Sequence, residues 1–355
     1  MDVWLVTGDA ALVEAVSRAL AQAPELRLHH APEQRPHSAP AWPEGSVLLL
    51  GADRLGQLPG IDAPAILLAP ALDPDTLRAA YRAGAVDCLL VPGELEALPA
   101  AVRRAGSAGR SAGRLYGLYS AKGGSGRTLL AALLALALQV RMQRRTLLID
   151  LNLQFGGVEA LLNLRPARNL MHLLPVAGEL TPEHMARVAC PHPSGLATLC
   201  SPADPALAAG VGPEAVRQLL VACRRYYDAV VVDLPAALDP PTLAALAACD
   251  RVLYVATPDA LAVPPLQRAL GYLASTATLA PGRLSLVINR ASGSADVRPA
   301  DLTLLTGLPM AGTVRADFRH VQPLLSGDRD LLSPDAAGGP GRDIAQLAAA
   351  LVQQP

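Results

Sequence analysis

The chain has 355 residues, 51% of them hydrophobic, and a formal net charge of −1, which suffices for two ordinary α/β domains. General nucleic-acid binding is disfavoured, because residues 1–102 hold 6 Arg and 13 acidic residues and residues 115–355 hold 20 basic and 18 acidic residues. The longest apolar run, residues 129–138, is about half as long as a membrane span and predicts a buried helix instead. No signal peptide is expected.

The first hundred residues alternate short apolar strands with segments of helical spacing. Strands are predicted at residues 3–7, 26–29, 47–50, 65–68 and 88–91, and helices at residues 10–21, 72–83 and 95–104. Residues 31–45 include four prolines and are predicted to form a loop. Alternation of this kind predicts a parallel sheet covered by helices on both faces.

A second run of strands and helices follows a segment of small residues, AGSAGRSAG at positions 105–113, whose composition is typical of a flexible linker. We therefore predict one domain at residues 1–102, a linker at 103–114 and a second domain at 115–355. In the second domain, strands are predicted at residues 115–119, 146–150, 229–233, 252–256 and 284–288. A helix is expected to run to about residue 140, and another to occupy residues 343–352.

A glycine-rich segment, SAKGGSGRT at positions 120–128, lies between the first of these strands and the apolar helix. Strand, glycine loop and helix in this order indicate a phosphate-binding loop, because glycines let backbone N–H groups approach phosphate oxygens and a helix N-terminus adds partial positive charge. Taken alone, the segment also fits a glycine-rich turn of a dinucleotide-binding unit. The predicted phosphate-binding residues are Lys122, Gly123, Gly124, Ser125, Gly126, Arg127 and Thr128.

Three further residues strengthen the prediction of a nucleotide site. Lys122 is the only lysine among 30 basic residues, so it stands out against a strong bias towards arginine. Asp150 and Asp233 each end an apolar strand, and the carboxyl ends of parallel strands meet at the edge where ligands bind. Each aspartate alone is equally compatible with a helix cap. Together with the loop, they predict Mg²⁺ held with the nucleotide by Thr128 and Asp233.

Several motifs resemble those of the MinD/ParA ATPases. The segment from Lys122 to Thr128 resembles their deviant Walker A motif, with Lys122 at its additional lysine. DLNLQFGG (150–157) is similar to their second motif, VVVDLPAALD (230–239) to their Walker B and switch region, and VINR (287–290) to the strand end whose Asn reads adenine. This resemblance implies an α/β parallel-sheet ATPase fold for residues 115–355.

The chain resembles most closely the CpaE/TadZ branch, the pilus-assembly and polar-localisation proteins of Tad/Flp systems. DLNLQFGGVEALLNLRP, HPSGLATLCSPADP, YYDAVVVDLP and FRHVQPLLSGDRDL carry this resemblance, which covers nearly all of residues 115–355. It implies a receiver-like, flavodoxin-like domain at residues 1–102. It also implies a cytoplasmic protein recruited to the cell pole or inner-membrane machinery, with pilus-assembly or secretion proteins as partners.

The resemblance further implies a nucleotide-sandwich homodimer that binds ATP and Mg²⁺. In such a dimer Lys122 contacts the phosphates of the partner, much as an arginine finger acts in trans. Catalytic roles are implied for Lys122, Asp150 and Asn152, and nucleotide contacts for Asn289 and Arg290.

Two residues depart from the motifs of an active ATPase. Arg127 stands at the usual in-cis lysine, and its wider planar guanidinium either binds the β-phosphate or points away. Asn152 stands where a second Asp helps to place the attacking water, and an amide is not a base. We therefore expect ATP binding with slow or absent hydrolysis.

The receiver-like half also departs from an active form. Gly51, Ala69 and Val91 occupy the places of the phosphorylatable Asp, the hydroxyl residue and the Lys. Asp53 lies two residues late, and Asp9 is expected to cap a turn or helix. These substitutions predict a pseudo-receiver used for docking.

The alternative function is an active MinD/ParA-type ATPase in chromosome or plasmid partition, or in cell-pole positioning. The small positive charge of residues 115–355 disfavours stable DNA binding. The final helix, residues 343–352, has no basic face, which disfavours direct membrane insertion.

Overall fold

The computed structural model describes residues 1–30, 42–43, 46–57, 63–83, 85–108, 113–280, 282–293 and 296–353. The predicted loop at residues 31–45 lies outside the described residues except for positions 42–43, and so do residues 109–112 of the predicted linker. Contacts divide the chain into two compact units, Met1–Ala112 and Gly113–Pro355.

The N-terminal unit is a five-stranded parallel sheet with the strand order β2-β1-β3-β4-β5, one of the two common orders of doubly wound sheets. Buried side chains of helices α1 and α3 pack on one face of the sheet, and α2 packs on the other. Its strands are β1 (Asp2–Val6), β2 (Arg27–His30), β3 (Val47–Gly51), β4 (Ala65–Ala69) and β5 (Ala85–Leu90). Its helices are α1 (Ala10–Leu20), α2 (Pro74–Ala83) and α3 (Leu98–Ala108), with 3₁₀ helices at Ala52–Gln57 and Leu95–Ala97.

Local details of this unit both support and correct the sequence analysis. Asp9 caps α1, since its side chain accepts hydrogen bonds from the backbone N–H groups of Ala11 and Leu12. Helix α3, in contrast, continues to Ala108, so residues 103–108 of the predicted linker are helical, and the small residues that begin at position 105 do not end the helix. The buried residues Ala101, Val102 and Ala105 provide the packing that overrides this composition.

The C-terminal unit is an eight-stranded sheet with the order β13-β12-β11-β6-β10-β7-β9-β8, parallel throughout except for the β8–β9 pair. Its strands are β6 (Arg114–Tyr119), β7 (Thr146–Asp150), β8 (Cys190–Pro191), β9 (Ala197–Leu199), β10 (Ala229–Asp233), β11 (Arg251–Ala256), β12 (Leu284–Ala291) and β13 (Met310–Arg315).

Helices cover both faces of this sheet, and each face has its own apolar core. They are α4 (Arg127–Leu136), α5 (Val158–Leu161), α6 (Pro182–Val188), α7 (Pro213–Cys223), α8 (Pro240–Ala248), α9 (Val263–Ser275), α10 (Pro299–Thr306), α11 (Phe318–Leu325) and α12 (Gly339–Gln353). A π-helical turn, Ala137–Arg141, extends α4, and short 3₁₀ helices lie at Leu170–His172, Leu174–Glu179, Pro205–Gly210, Ala260–Ala262 and Pro334–Ala337.

All five strands predicted for this unit are present, whereas β8, β9 and β13 were missed. The strands β8 and β9 have two and three residues, too few to show a periodic pattern. Strand β13 is only partly buried and lacks a continuous apolar run. The predicted apolar helix is confirmed, because Leu130–Leu136 of α4 is fully buried. Among the helices of the described ranges, none combines the length and apolar composition that a membrane crossing requires.

Two helical glycines provide a matched test of this packing. A Cβ at Gly341, in α12, would overlap the backbone carbonyl of Pro334, whereas a Cβ at Gly271, in α9, would meet open space. We expect Gly341→Ala to lower the free energy of unfolding by about 1–3 kcal/mol. We expect Gly271→Ala to raise it by about 0.5–1 kcal/mol, because alanine stabilises a helix interior relative to glycine. Urea unfolding of the full-length chain measures both, and equal effects would contradict the packing described.

Candidate functional site

The glycine loop connects β6 to α4 at the carboxyl edge of the central strands. Gly124 and Gly126 have φ values of +73° and +86°, a region that side chains with a Cβ disfavour. A Cβ at Gly123 or Gly124 would meet no atom within 4 Å, so this side of the loop is open. Gly126, the residue before α4, provides no side-chain cap. The first N–H groups of α4 are therefore left for an anion, since no helix satisfies these groups itself.

Asp150 and Asp233 lie beside each other at the ends of two neighbouring strands. They are register partners in β7 and β10, and neither is exposed to solvent. The sequence analysis placed both at this edge, and the structure brings them together. Two fully buried carboxylates need compensating hydrogen-bond donors or counter-charges.

Asp233 receives its compensation from the start of α4. Arg127 donates from Nε to Oδ1 of Asp233 over 2.7 Å, and Thr128 donates from Oγ1 to Oδ2 over 2.6 Å. The Arg127 side chain is only 11% exposed. The guanidinium therefore faces the strand-end carboxylate, a contact that the sequence analysis did not predict, and its contact with the β-phosphate stays a prediction.

Asp150 is compensated by backbone N–H groups. It accepts hydrogen bonds from the N–H groups of Asn152 (3.0 Å), Gly157 (3.0 Å) and Val158 (3.2 Å). Burial nevertheless raises the pKa of Asp150, and the neighbouring charge of Asp233 raises it further, to about 7. The three N–H groups act in the opposite direction because they favour the charged carboxylate.

Lys122 lies at the open side of the loop in an ion pair within its own chain. Its Nζ is 2.7 Å from both carboxylate oxygens of Asp259 and 3.3 Å from Oγ1 of Thr257. Burial raises the pKa of Asp259, but the hydrogen bonds from Lys122 and Thr257 outweigh this and leave the pKa below its usual value. The Lys122 side chain is 30% exposed.

The sequence analysis missed Asp259. It follows β11 after a gap of two residues, so the search for carboxylates at the last residue of a strand did not include it. The signal for Asp259 is a carboxylate within the first three residues after a parallel strand.

Asn289, in β12, stabilises the glycine loop through a hydrogen bond. Its Nδ2 donates to the backbone carbonyl of Ser125 over 2.8 Å, and the residue is 6% exposed. A Cβ at Gly126 would overlap this amide group, so glycine is required there for space as well as for backbone conformation. The predicted contact of Asn289 with adenine stays a prediction.

A cleft of about 430 Å³ opens beside the loop. The residues that line it are Lys122, Gly123, Gly124, Thr257, Pro258, Asp259, Arg290, Ser292 and Asp296. Arg290 is exposed at the end of β12 and is one of the nucleotide-binding residues predicted from the sequence. Arg127 is not part of this lining, in agreement with its orientation towards Asp233.

Asn152 belongs to the loop after β7, and its side chain is hydrogen bonded within that loop. Its Nδ2 donates to the backbone carbonyl of Phe155 over 2.6 Å. The amide therefore holds the loop in a turn, while Phe155 itself is 77% exposed. The predicted catalytic role of Asn152 stays a prediction.

The residues predicted to hold Mg²⁺ are adjacent, but their charge is already balanced. Thr128 and Asp233 are hydrogen bonded to each other, whereas the charge of Asp233 is paired with Arg127. Mg²⁺ is typically bound by one or two carboxylates together with phosphate oxygens. As placed, the side chains do not fit the ion, which would have to displace the guanidinium to gain the charge of Asp233.

Comparisons with known proteins agree with this architecture. A family model described as an AAA domain matches residues 113–278. The septum site-determining protein MinD of Bacillus subtilis (strain 168) is 27% identical over 173 residues, which are 49% of this chain and 63% of MinD, so the match spans less than two thirds of that relative. The uncharacterized protein Rv3660c of Mycobacterium tuberculosis (strain ATCC 25618 / H37Rv) is 30% identical over 301 residues, 81% of each chain.

Solved structures show the same fold. The ParA family ATPase from Chlorobium tepidum TLS has a TM-score of 0.60 at 23% identity and covers 68% of this chain and 99% of its own. MinD complexed with Mg-ADP from Pyrococcus horikoshii OT3 has a TM-score of 0.57 at 20% identity, with coverage of 68% and 96%. The phosphate loop and the parallel sheet thus have the fold of the MinD and ParA proteins. The chain belongs to the MinD/ParA superfamily, in the same family as Rv3660c.

The raised pKa of Asp150 predicts how stability changes with pH. Because its pKa in the folded chain lies above the ordinary value of 3.8, the folded state holds the proton more tightly than the unfolded state. Raising the pH from about 4 to about 7 therefore removes stability, and the loss ends above that range. Relative to Asp150→Asn, the wild type should lose on the order of 2 kcal/mol between about pH 5 and about pH 8.

Urea unfolding at several pH values measures this difference. The control is Asp204→Asn, because Asp204 is an exposed helix cap and its substitution should give a difference that is constant across the range. A constant difference for Asp150→Asn would contradict the pKa of about 7.

Proposed function

We propose that this chain is an ATP-binding protein that dimerises with nucleotide and serves as a localisation or assembly factor for a Tad/Flp-type pilus or a related secretion system. Nucleotide binding is supported by the open loop between β6 and α4. The N-terminus of α4, which follows the loop, has no side-chain cap, and Lys122 lines the cleft beside the loop. The relative from Pyrococcus horikoshii holds Mg-ADP, which supports a nucleotide in the equivalent cleft here.

The proposed dimer depends on the position of Lys122. Its side chain is partly exposed, and its ammonium group is paired with the carboxylate of Asp259 in the lining of the cleft. A phosphate group of a nucleotide bound to the second copy would offer the same chemistry, an anion with several oxygen acceptors. Exchange of one anion for another allows Lys122 to contact the partner's nucleotide without leaving its ammonium unpaired, and the released carboxylate of Asp259 is partly exposed to water.

Asp150 and Asn152 support the proposal that hydrolysis is slow or absent. Asn152 is not a base and its amide holds the carbonyl of Phe155. Asp150 is buried and its oxygens accept three backbone N–H groups. Neither residue is arranged to take a proton from an attacking water, so we propose that the bound state, and not turnover, is the functional output.

The N-terminal unit is proposed to be a receiver-like docking domain. Its strand order is compatible with the flavodoxin-like fold, and Gly51, Ala69 and Val91 lack the side chains of an active receiver. Asp53, the nearest carboxylate, accepts hydrogen bonds from Thr7 Oγ1 and from the N–H of Gly8, both at 2.9 Å. We propose a cytoplasmic protein that pilus-assembly or secretion proteins recruit to the cell pole.

A pair of variants tests the nucleotide-dependent dimer. Lys122→Ala should abolish ATP-dependent dimerisation, measured by light scattering with size-exclusion chromatography, because it removes the cation that contacts the partner's nucleotide. Asp259→Asn is the matched control, since it breaks the same intrachain ion pair but keeps the lysine, and it should still dimerise. Equal loss in both variants would show that Lys122 acts only within its own chain.

Phosphate release from the wild type should stay well below ~1 s⁻¹, the low end for ordinary enzymes. The measurement uses the same ATP concentrations as the dimerisation experiment. Turnover at or above that rate would favour the alternative, an active MinD/ParA-type ATPase in partition or cell-pole positioning.

Asp53 should not become phosphorylated. Incubation of the full chain with acetyl phosphate and intact-mass spectrometry should show no stable phosphate adduct, because the carboxylate is engaged by Thr7, Gly8 and Arg54. An adduct that is present in the wild type and lost in Asp53→Asn would overturn the docking-only role.

A further inference from the structure

We propose that the guanidinium of Arg127 takes the place of a divalent cation as the counter-charge of Asp233, so that the nucleotide binds this loop without requiring Mg²⁺. The inference rests on the proposed nucleotide binding and adds to it how the phosphate site is charged. It concerns the contact between the first turn of α4 and the end of β10.

The ion pair fills the place where a metal would balance charge. Asp233 has no exposure to solvent, and each of its two oxygens has a donor from α4, Arg127 on one and Thr128 on the other. With Asp150 as register partner, the edge would carry two neighbouring carboxylates, the kind of site that favours a divalent cation. Arg127 already balances the charge of Asp233, without a metal ion.

The Arg127–Asp233 ion pair is energetically costly to separate. An arginine does not lose its proton in a protein, so its charge cannot be removed to accommodate a second cation. Its side chain is 11% exposed and Asp233 is fully buried, and separating a buried pair leaves each charge uncompensated. A divalent cation beside Asp233 would also be repelled by the guanidinium.

The geometry of the pair suits a bridge to phosphate. Arg127 bonds Asp233 through Nε, so the two terminal nitrogens of the fork are not required for this contact. Arg127 is also the first residue of α4, where the N–H groups of the first turn are available for an anion. One guanidinium can donate to a carboxylate and to a phosphate oxygen at once, because its donors diverge in a plane. A lysine ammonium at this position lacks that fork.

The test compares nucleotide affinity with and without Mg²⁺. A fluorescent ATP analogue is titrated into the full chain in millimolar MgCl₂ and, separately, in excess EDTA. The wild-type dissociation constant should differ by less than about threefold between the buffers, whereas Arg127→Lys should lose about tenfold or more in EDTA. Arg217→Lys is the matched control, since Arg217 also donates from Nε to a carboxylate but on the exposed face of α7, and it should behave as the wild type.

Each outcome decides between the claims. A wild type that binds in Mg²⁺ and loses about tenfold or more in EDTA overturns the inference and leaves the proposed nucleotide binding intact. A wild type that binds in neither buffer overturns both. Mg²⁺-independent binding by both the wild type and Arg127→Lys would remove Arg127 as the cause. Should Arg127→Lys fail to fold, Arg127→Gln replaces it, because its neutral side chain cannot act as a counter-charge and should make binding depend on Mg²⁺.

Discussion

The burial of two neighbouring carboxylates is the constraint on which the carboxyl edge of the C-terminal sheet depends. Asp150 and Asp233 end adjacent strands in register and have no access to water. A buried carboxylate is tolerated only with donors or a counter-charge around it. Asp233 therefore attaches α4 to the sheet through Arg127 and Thr128, and Asp150 holds the loop that follows β7 through three backbone N–H groups.

Two glycines of the site are required where the backbone approaches polar side chains closely. Gly126 has a positive φ and sits against the amide of Asn289, so the phosphate loop can close on α4 only without a side chain there. A Cβ at Gly156 would overlap Ser201 and approach Asp150. In both places the backbone comes close to a polar group that positions the site. The open side of the loop is left to Gly123 and Gly124, where space remains for a ligand.

Much of this architecture could be predicted from the residues alone. The apolar strands, the buried helix α4 and the carboxylates at strand ends are local patterns, and each was found in its expected place. The short strands β8 and β9 and the partly buried β13 could not be predicted, because their pairing depends on neighbours that are distant in sequence. The helical residues 105–108 were mistaken for a linker because tertiary packing outweighs the low helix propensity of Gly106.

The sequence by itself determined the class of protein, because phosphate binding requires particular residue types. The glycine loop, its single lysine and the strand-end aspartates are such residues, and each can be recognised from its local sequence. The partners of the charged side chains were decided only by the tertiary structure. Arg127 pairs with Asp233 across a sequence separation of 106 residues, and Lys122 pairs with Asp259 across 137. No local pattern encodes such pairs, because they depend on which strands the parallel sheet places side by side.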